Sequence, residues 1–218
     1  CDRSPTLANA EGSRSKNGMP PTQSVTVTAA SCAATEAGNV VLMQTARVDA
    51  TGLKSTRRVR VMCDSGSNAT FIRTDTALRL GCRVLAKEPL MVSTFGGGTS
   101  QQFSEKVEVG LTTQDGSLLQ IMANKIPSIC GPPPVVSQAE LEKHDHLRGL
   151  KLAEEPSEAL AEGCEVDILL GQDVLQDVLH GEMRIGRSGP MAVSSQFGWI
   201  ICGQSSCAPE AQQEIMAN

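Results

Sequence analysis

Residues 59–72 read V-R-V-M-C-D-S-G-S-N-A-T-F-I, and no other stretch constrains the fold as much. Val59, Val61 and Cys63 alternate with Arg58, Arg60 and Met62, which is the period of a strand, and the alternation stops at a small polar turn. An apolar run, Ala69-Thr70-Phe71-Ile72, follows almost at once. A turn joining two solvated strands has no use for apolar flanks on both sides, so the base of this one is expected to be buried. Asp64 then stands where a buried strand ends. Gly66 lets the backbone turn tightly, and neighbouring N–H groups can point back at the carboxylate and fix its geometry. Asp-Ser-Gly alone is a common surface turn; the flanks give it interest.

The rest of the chain reads as further short strands. Residues 40–48 form a strand candidate, and a Thr51-Gly52 turn joins it to the strand that delivers Asp64. Thr74–Leu80 reads as a short helix closed by Gly81. Residues 90–95 alternate and run into Gly96-Gly97-Gly98, three glycines whose ordering is costly. Residues 107–111 and 118–123 flank Gln114-Asp115-Gly116, a hairpin signal. Residues 126–129 lead to Gly131-Pro132-Pro133-Pro134, which excludes a strand or helix interior. Ser137 followed by Glu140 is a capping-box pattern, with Leu141, Leu147 and Leu150 as an imperfect helical stripe. Residues 165–170 predict a strand, 173–179 a short helix, and 183–185, 191–194 and 199–202 closing strands. The predicted fold is all-β, a small closed barrel with a few short helices and a helical insert. The domain plan is a flexible linker at 1–38, rich in small and polar residues, one domain at 39–206 with an acidic helical insert at 136–163, and a tail at 207–218.

Several function classes are disfavoured. A net charge of −5 argues against a nucleic-acid surface, which needs a basic face. No apolar run approaches membrane-spanning length and no signal peptide opens the chain, so a soluble, cytoplasmic protein without membrane contact is expected. With four Phe, one Trp and no Tyr, the core must be aliphatic and sulfur-rich. The eight cysteines are irregularly spaced and read as reduced. Cys202-x4-Cys207 and the pair His144 and His146 complete no four-ligand set, so no metal and no cofactor is expected. No Ser-His-Asp set, Cys-His pair or phosphate-binding loop has supporting context. Asp167 reads as a strand-edge solvent charge, Asp173 as a helix N-cap, the two histidines as solvated, and Trp199 as core or dimer packing.

The strand, Asp64-Ser65-Gly66-Ser67 and the Thr70-Phe71-Ile72 re-entry resemble the catalytic loop of retropepsin-like aspartic proteases, most closely those of Pao/BEL-type retrotransposon polyproteins. Further landmarks follow in the family's order. Thr94-Phe95-Gly96-Gly97-Gly98 resembles the flap, Ile168-Leu169-Leu170-Gly171 the strand bracing the catalytic loop, and residues 189–193 and 198–203 the closing segment. The resemblance spans about residues 40–203 and implies the barrel named above. It implies an extended peptide or polyprotein as substrate, with Phe95, Gly96, Gly97, Gly98, Leu170 and Gly171 in the substrate-binding group. The insert is similar to one typical of the Pao group. Cys1 in place of an initiator Met suggests a segment of something longer, and in that family Cys1 could be the last ligand of a preceding zinc knuckle.

Peptide hydrolysis by carboxylates alone needs two of them sharing a proton, one as base toward water and one as acid toward the carbonyl oxygen. The sequence offers one Asp-Ser-Gly and no internal repeat, so the dyad is expected from a homodimer, with Asp64 facing its mate across a twofold axis. Asp64 would hold the water, Ser65 would hydrogen-bond across the axis, and Gly66 would permit the approach. Relatives often have Thr at the position of Ser65 and an aliphatic residue at that of Cys63, whose thiol could be oxidised if exposed. Two alternatives stand beside the endopeptidase reading. One is a catalytically inactive retropepsin-like module for dimerisation or peptide binding. The other is an unrelated barrel with a chance Asp-Ser-Gly, in which Asp64 would lie on an exposed loop far from Leu170.

Overall fold

The alternation at residues 57–63 becomes a strand whose Val59, Val61 and Cys63 enter an aliphatic core while Met62 enters a second, smaller one. The computed structural model describes residues 23–26, 40–93, 99–159 and 165–205. In chain order the first elements are β1 (Gln23–Thr26), β2 (Val40–Leu42), β3 (Thr45–Thr51), β4 (Thr56–Cys63), β5 (Phe71–Arg73) and the helix α1 (Thr74–Leu80). The long β6 (Arg83–Ser93), β7 (Thr99–Thr112) and β8 (Leu118–Ile126) follow. Next come α2 (Gln138–Glu142), a 3-10 turn at Asp145–Leu147, α3 (Pro156–Ala159), β9 (Ile168–Leu170) and α4 (Gln172–Val178). The closing strands are β10 (Leu179–Arg184), β11 (Met191–Ser195) and β12 (Gly198–Ser205).

Six strands close a barrel in the order β7, β3, β4, β9, β5, β8 and back to β7. The fold is therefore all-β, as the alternation predicts. β3 and β4 form the expected hairpin, Thr51 opposite Thr56. A second sheet runs β10, β11, β12, β2. The main core holds Val48, Val61, Val109, Leu111, Ile121, Ile168 and Leu170, with Phe197 its only aromatic among the described residues. α1 spans its predicted residues and ends at Gly81, whose φ of 68° favours glycine.

Some expectations need correction. Residues 40–48 are not one strand. The chain breaks at Met43 and Gln44, so that β2 joins β12 in the second sheet while β3 joins the barrel. The ladder on β8 stops at Ile126, β9 is paired only from Ile168, and β6 starts seven residues before the expected position 90. Within the expected linker 1–38, residues 23–26 form a strand on β6; the rest of that stretch and the tail 207–218 lie outside the described residues.

The insert 136–163 is built into the fold rather than appended to it. Leu141 and Leu147 pack on Ala192 with Trp199 and Ile201 alongside, and Ala153 enters the main core. Ala153 N–H donates to Trp199 C=O at 2.9 Å while Arg47 N–H donates to Ala153 C=O at 2.8 Å, tying β12 to β3. Ser137 caps α2, accepting from Glu140 N–H at 3.2 Å. The histidines are not solvated. His146 Nε2 lies 2.9 Å from Pro190 C=O, and His144 packs beside Gly189 with Nε2 3.4 Å from the buried Glu140.

A buried charge cluster joins this insert to β4. Glu154 lies 2.8 Å from Arg60 and 3.3 Å from Arg47, and it accepts from Thr45 Oγ1 at 2.6 Å. The Arg60 side chain is only 1% exposed. Removing one member of such a cluster leaves charge without its counterpart in a dry place. Glu154→Ala is expected to lower stability to urea by about 3–5 kcal/mol; a loss below about 1 kcal/mol, the size of a surface pair, would show that the cluster is not what holds the insert.

Candidate active site

Asp64 is positioned by a strand that arrives about a hundred residues later. β9 lies between β4 and β5, parallel to the first, with Cys63 opposite Leu170, and antiparallel to the second, with Phe71 opposite Leu169. Asp64 N–H donates to Leu170 C=O at 2.9 Å, so the ladder continues one residue beyond β4 and ends on the acid itself. Both arms of the loop are held by one buried strand.

The loop between is pinned by short contacts. Gly66 N–H donates to Asp64 Oδ1 at 2.9 Å, the turn geometry that the glycine was expected to allow. Ser67 N–H donates to Asp64 C=O at 3.2 Å, its hydroxyl donates to Ala69 C=O at 2.8 Å, and its own C=O accepts from Gln172 N–H at 2.8 Å. Thr70 donates from its hydroxyl to Asp173 Oδ1 at 2.7 Å and from its N–H to Oδ2 at 3.1 Å, and it accepts from Gly171 N–H at 3.1 Å. A Cβ on Gly171 would stand 2.3 Å from Ala69 C=O, so only glycine permits this approach. Hydrogen bonds to a carboxylate are stronger than neutral ones, and Asp173 therefore clamps the exit of the loop to the start of α4.

Asp64 itself is half-buried, with Ser65 and Gly66 exposed at the loop tip. Its Oδ1 is held by Gly66, whereas its Oδ2 is buried and has no hydrogen-bond partner among the described residues. Leaving such an atom unsatisfied costs about 1–3 kcal/mol or more for a charged group. The arrangement is a half-buried carboxylate held at Oδ1 by the turn and left unsatisfied at Oδ2 among the described residues.

The other predicted site residues fall differently. Leu170 is fully buried and Gly171 lies under the loop, so they brace it and offer a substrate no surface. Phe95, Gly96, Gly97 and Gly98 lie outside the described residues. Asp173 is not the N-cap of α4, which is Gly171, but the clamp on Thr70. Asp167 is not a solvent charge: it accepts from Arg60 N–H at 3.0 Å and from Thr76 Oγ1 at 2.7 Å. Ser67 and Thr70, both fully buried, carry the loop's inner bonds without having been singled out. Small hydroxyl residues flanking a glycine turn were the available signal.

Among the described residues no helix is long and apolar enough to cross a membrane. Comparison with known protein families, with curated proteins and with solved structures finds no match.

Cys63, next to Asp64, is buried, and burial, with Cys202 nearby, pushes its thiol up to about 12. The native state thus keeps a proton that the unfolded chain releases above its ordinary value of 9.0, and stability is lost as pH rises from there toward 12. A neutral buried thiol is a poor nucleophile. Cys63, followed by mass spectrometry of its own peptide, is expected to stay unmodified by an aromatic disulfide reagent at about pH 8 and to react once urea unfolds the chain; labelling of Cys63 itself in the native protein at the rate of a free thiol would contradict its burial.

Proposed function

We propose that this chain is the subunit of a homodimeric aspartic endopeptidase of the retropepsin type, hydrolysing an extended peptide. The observation that carries the proposal is the half-buried Asp64 carboxylate, fixed at Oδ1 by Gly66 N–H at the end of a braced strand and beside the exposed Ser65-Gly66 tip. Peptide hydrolysis by carboxylates needs a second acid sharing a proton, and the chain has one Asp-Ser-Gly to give. Two copies related by a twofold axis supply the pair, since an isologous contact brings each loop to its own image.

In this reading a water lies between the two carboxyls. The ionised one takes its proton as the oxygen attacks the peptide carbonyl, and the protonated one donates to the carbonyl oxygen. Proton transfer to the amide nitrogen then releases an amine and a carboxylic acid. Ser65, exposed at the tip, hydrogen-bonds the opposite loop, and Gly66 keeps the approach open. Asp173 acts through Thr70 as a positioning residue. The sequence resemblance supports a polyprotein as the natural substrate.

Cleavage of a fluorogenic peptide library between about pH 4 and 7, the window of a shared-proton dyad, tests the proposal. Activity is expected to rise faster than linearly with protein concentration, and Asp64→Asn to lower it by about 10²–10⁴-fold or more with the fold intact. Activity retained in that variant would overturn the mechanism. Silence from the wild type while a dimer sediments would leave a peptide-binding or dimerisation module.

A further inference from the structure

The barrel closes without β6. Residues 106–112 of β7 pair with β8, whereas residues 99–105 pair only with β6, so beyond the barrel the two strands form a projecting arm. The arm is rooted by Leu90, which is buried with Met62, Phe71, Val166 and Leu169 beneath the Asp64 loop. On β7, Phe103, whose register partner is Pro89, is 72% accessible. A two-stranded ribbon is marginal in water, and a third strand is what makes such an element stable.

The third strand comes from far away in sequence. β1 lies on the outer edge of β6, parallel to it, with Gln23 opposite Leu90, Ser24 opposite Met91, Val25 opposite Val92 and Thr26 opposite Ser93. No tight turn dictates this pairing, because a parallel neighbour cannot be reached by a hairpin. Its four residues make no other strand pairing among the described residues. Backbone hydrogen bonding along an open edge accepts any extended segment of suitable form.

We infer that the outer edge of β6 at residues 90–93 is a docking site for one extended peptide strand, and that residues 23–26 of the same chain are its resident occupant. The inference is independent of catalysis at Asp64. The tether raises the local concentration of the resident strand to about the millimolar range, so a free peptide competes poorly until the resident is disabled. Occupancy of the edge then stiffens the arm and vacancy loosens it.

The test uses the full chain and the double variant Ser24→Pro with Val25→Pro, since proline cannot donate to a ladder. Hydrogen exchange at the amides of residues 90–93 is expected to be about tenfold faster or more in the variant, with β3 and β4 unchanged. A fluorescent peptide of residues 20–30 is expected to bind the variant at least about tenfold more tightly than the wild type. Equal exchange in the two proteins, or a peptide that binds neither or both alike, would overturn the inference. Should proline disturb the barrel, seen as faster exchange in β3 and β4, Ser24→Gly with Val25→Gly gives the same comparison with all N–H groups kept.

Discussion

The hydrogen bond from Asp64 N–H to Leu170 C=O is the point on which the rest of the structure turns. It marks where β4 ends and the loop begins, and it exists only because β9 is inserted between β4 and β5. With that strand in place, the two ends of the loop cannot move apart, and Gly171 can pass under Ala69 at a distance no other residue tolerates. Asp173, two residues further, then reaches Thr70. A fixed carboxylate is thus a consequence of sheet order before it is a matter of local turn chemistry. Pre-set geometry of this kind is what electrostatic catalysis requires, since the groups need not reorganise during reaction.

The support extends outward through buried charge. Asp167, just before β9, accepts from the backbone of Arg60 in β4, and the Arg60 side chain reaches Glu154 in the insert. Glu154 also engages Arg47 in β3. Two barrel strands, the residue leading into β9 and the insert are therefore joined by contacts away from water, where each charge depends on the others. The insert consequently serves the same strand that carries Asp64.

Much of this was legible in the sequence, for identifiable reasons. Period-2 alternation marked β4, and Gly81 marked the end of α1, because both are signals within a few neighbouring residues. The turn at Asp64 stands out by its apolar flanks, and the Ile168-Leu169-Leu170-Gly171 run by three apolar residues ending at a glycine. What stayed hidden were pairings between distant residues. Thr70 and Asp173 are 103 positions apart, and an Asp in the first turn of a helix is ordinarily explained by the helix itself. The break at Met43 and Gln44 carries no glycine or proline, since it is made by two sheets competing for one segment. Leu141 and Leu147 looked irregular as a helical stripe because a 3-10 turn separates them from one helix.

In the proposed dimer, each of two chains supplies one Asp64 to a single site. Mixing wild type with Asp64→Asn at fixed total concentration, after unfolding and refolding together, measures this directly. If both carboxylates are needed in one dimer, equal mixing leaves about one quarter of the wild-type activity, the share of dimers with two intact subunits under random isologous pairing. A fall to about one half, in proportion to the wild-type chain alone, would mean that a single Asp64 suffices and would contradict the account.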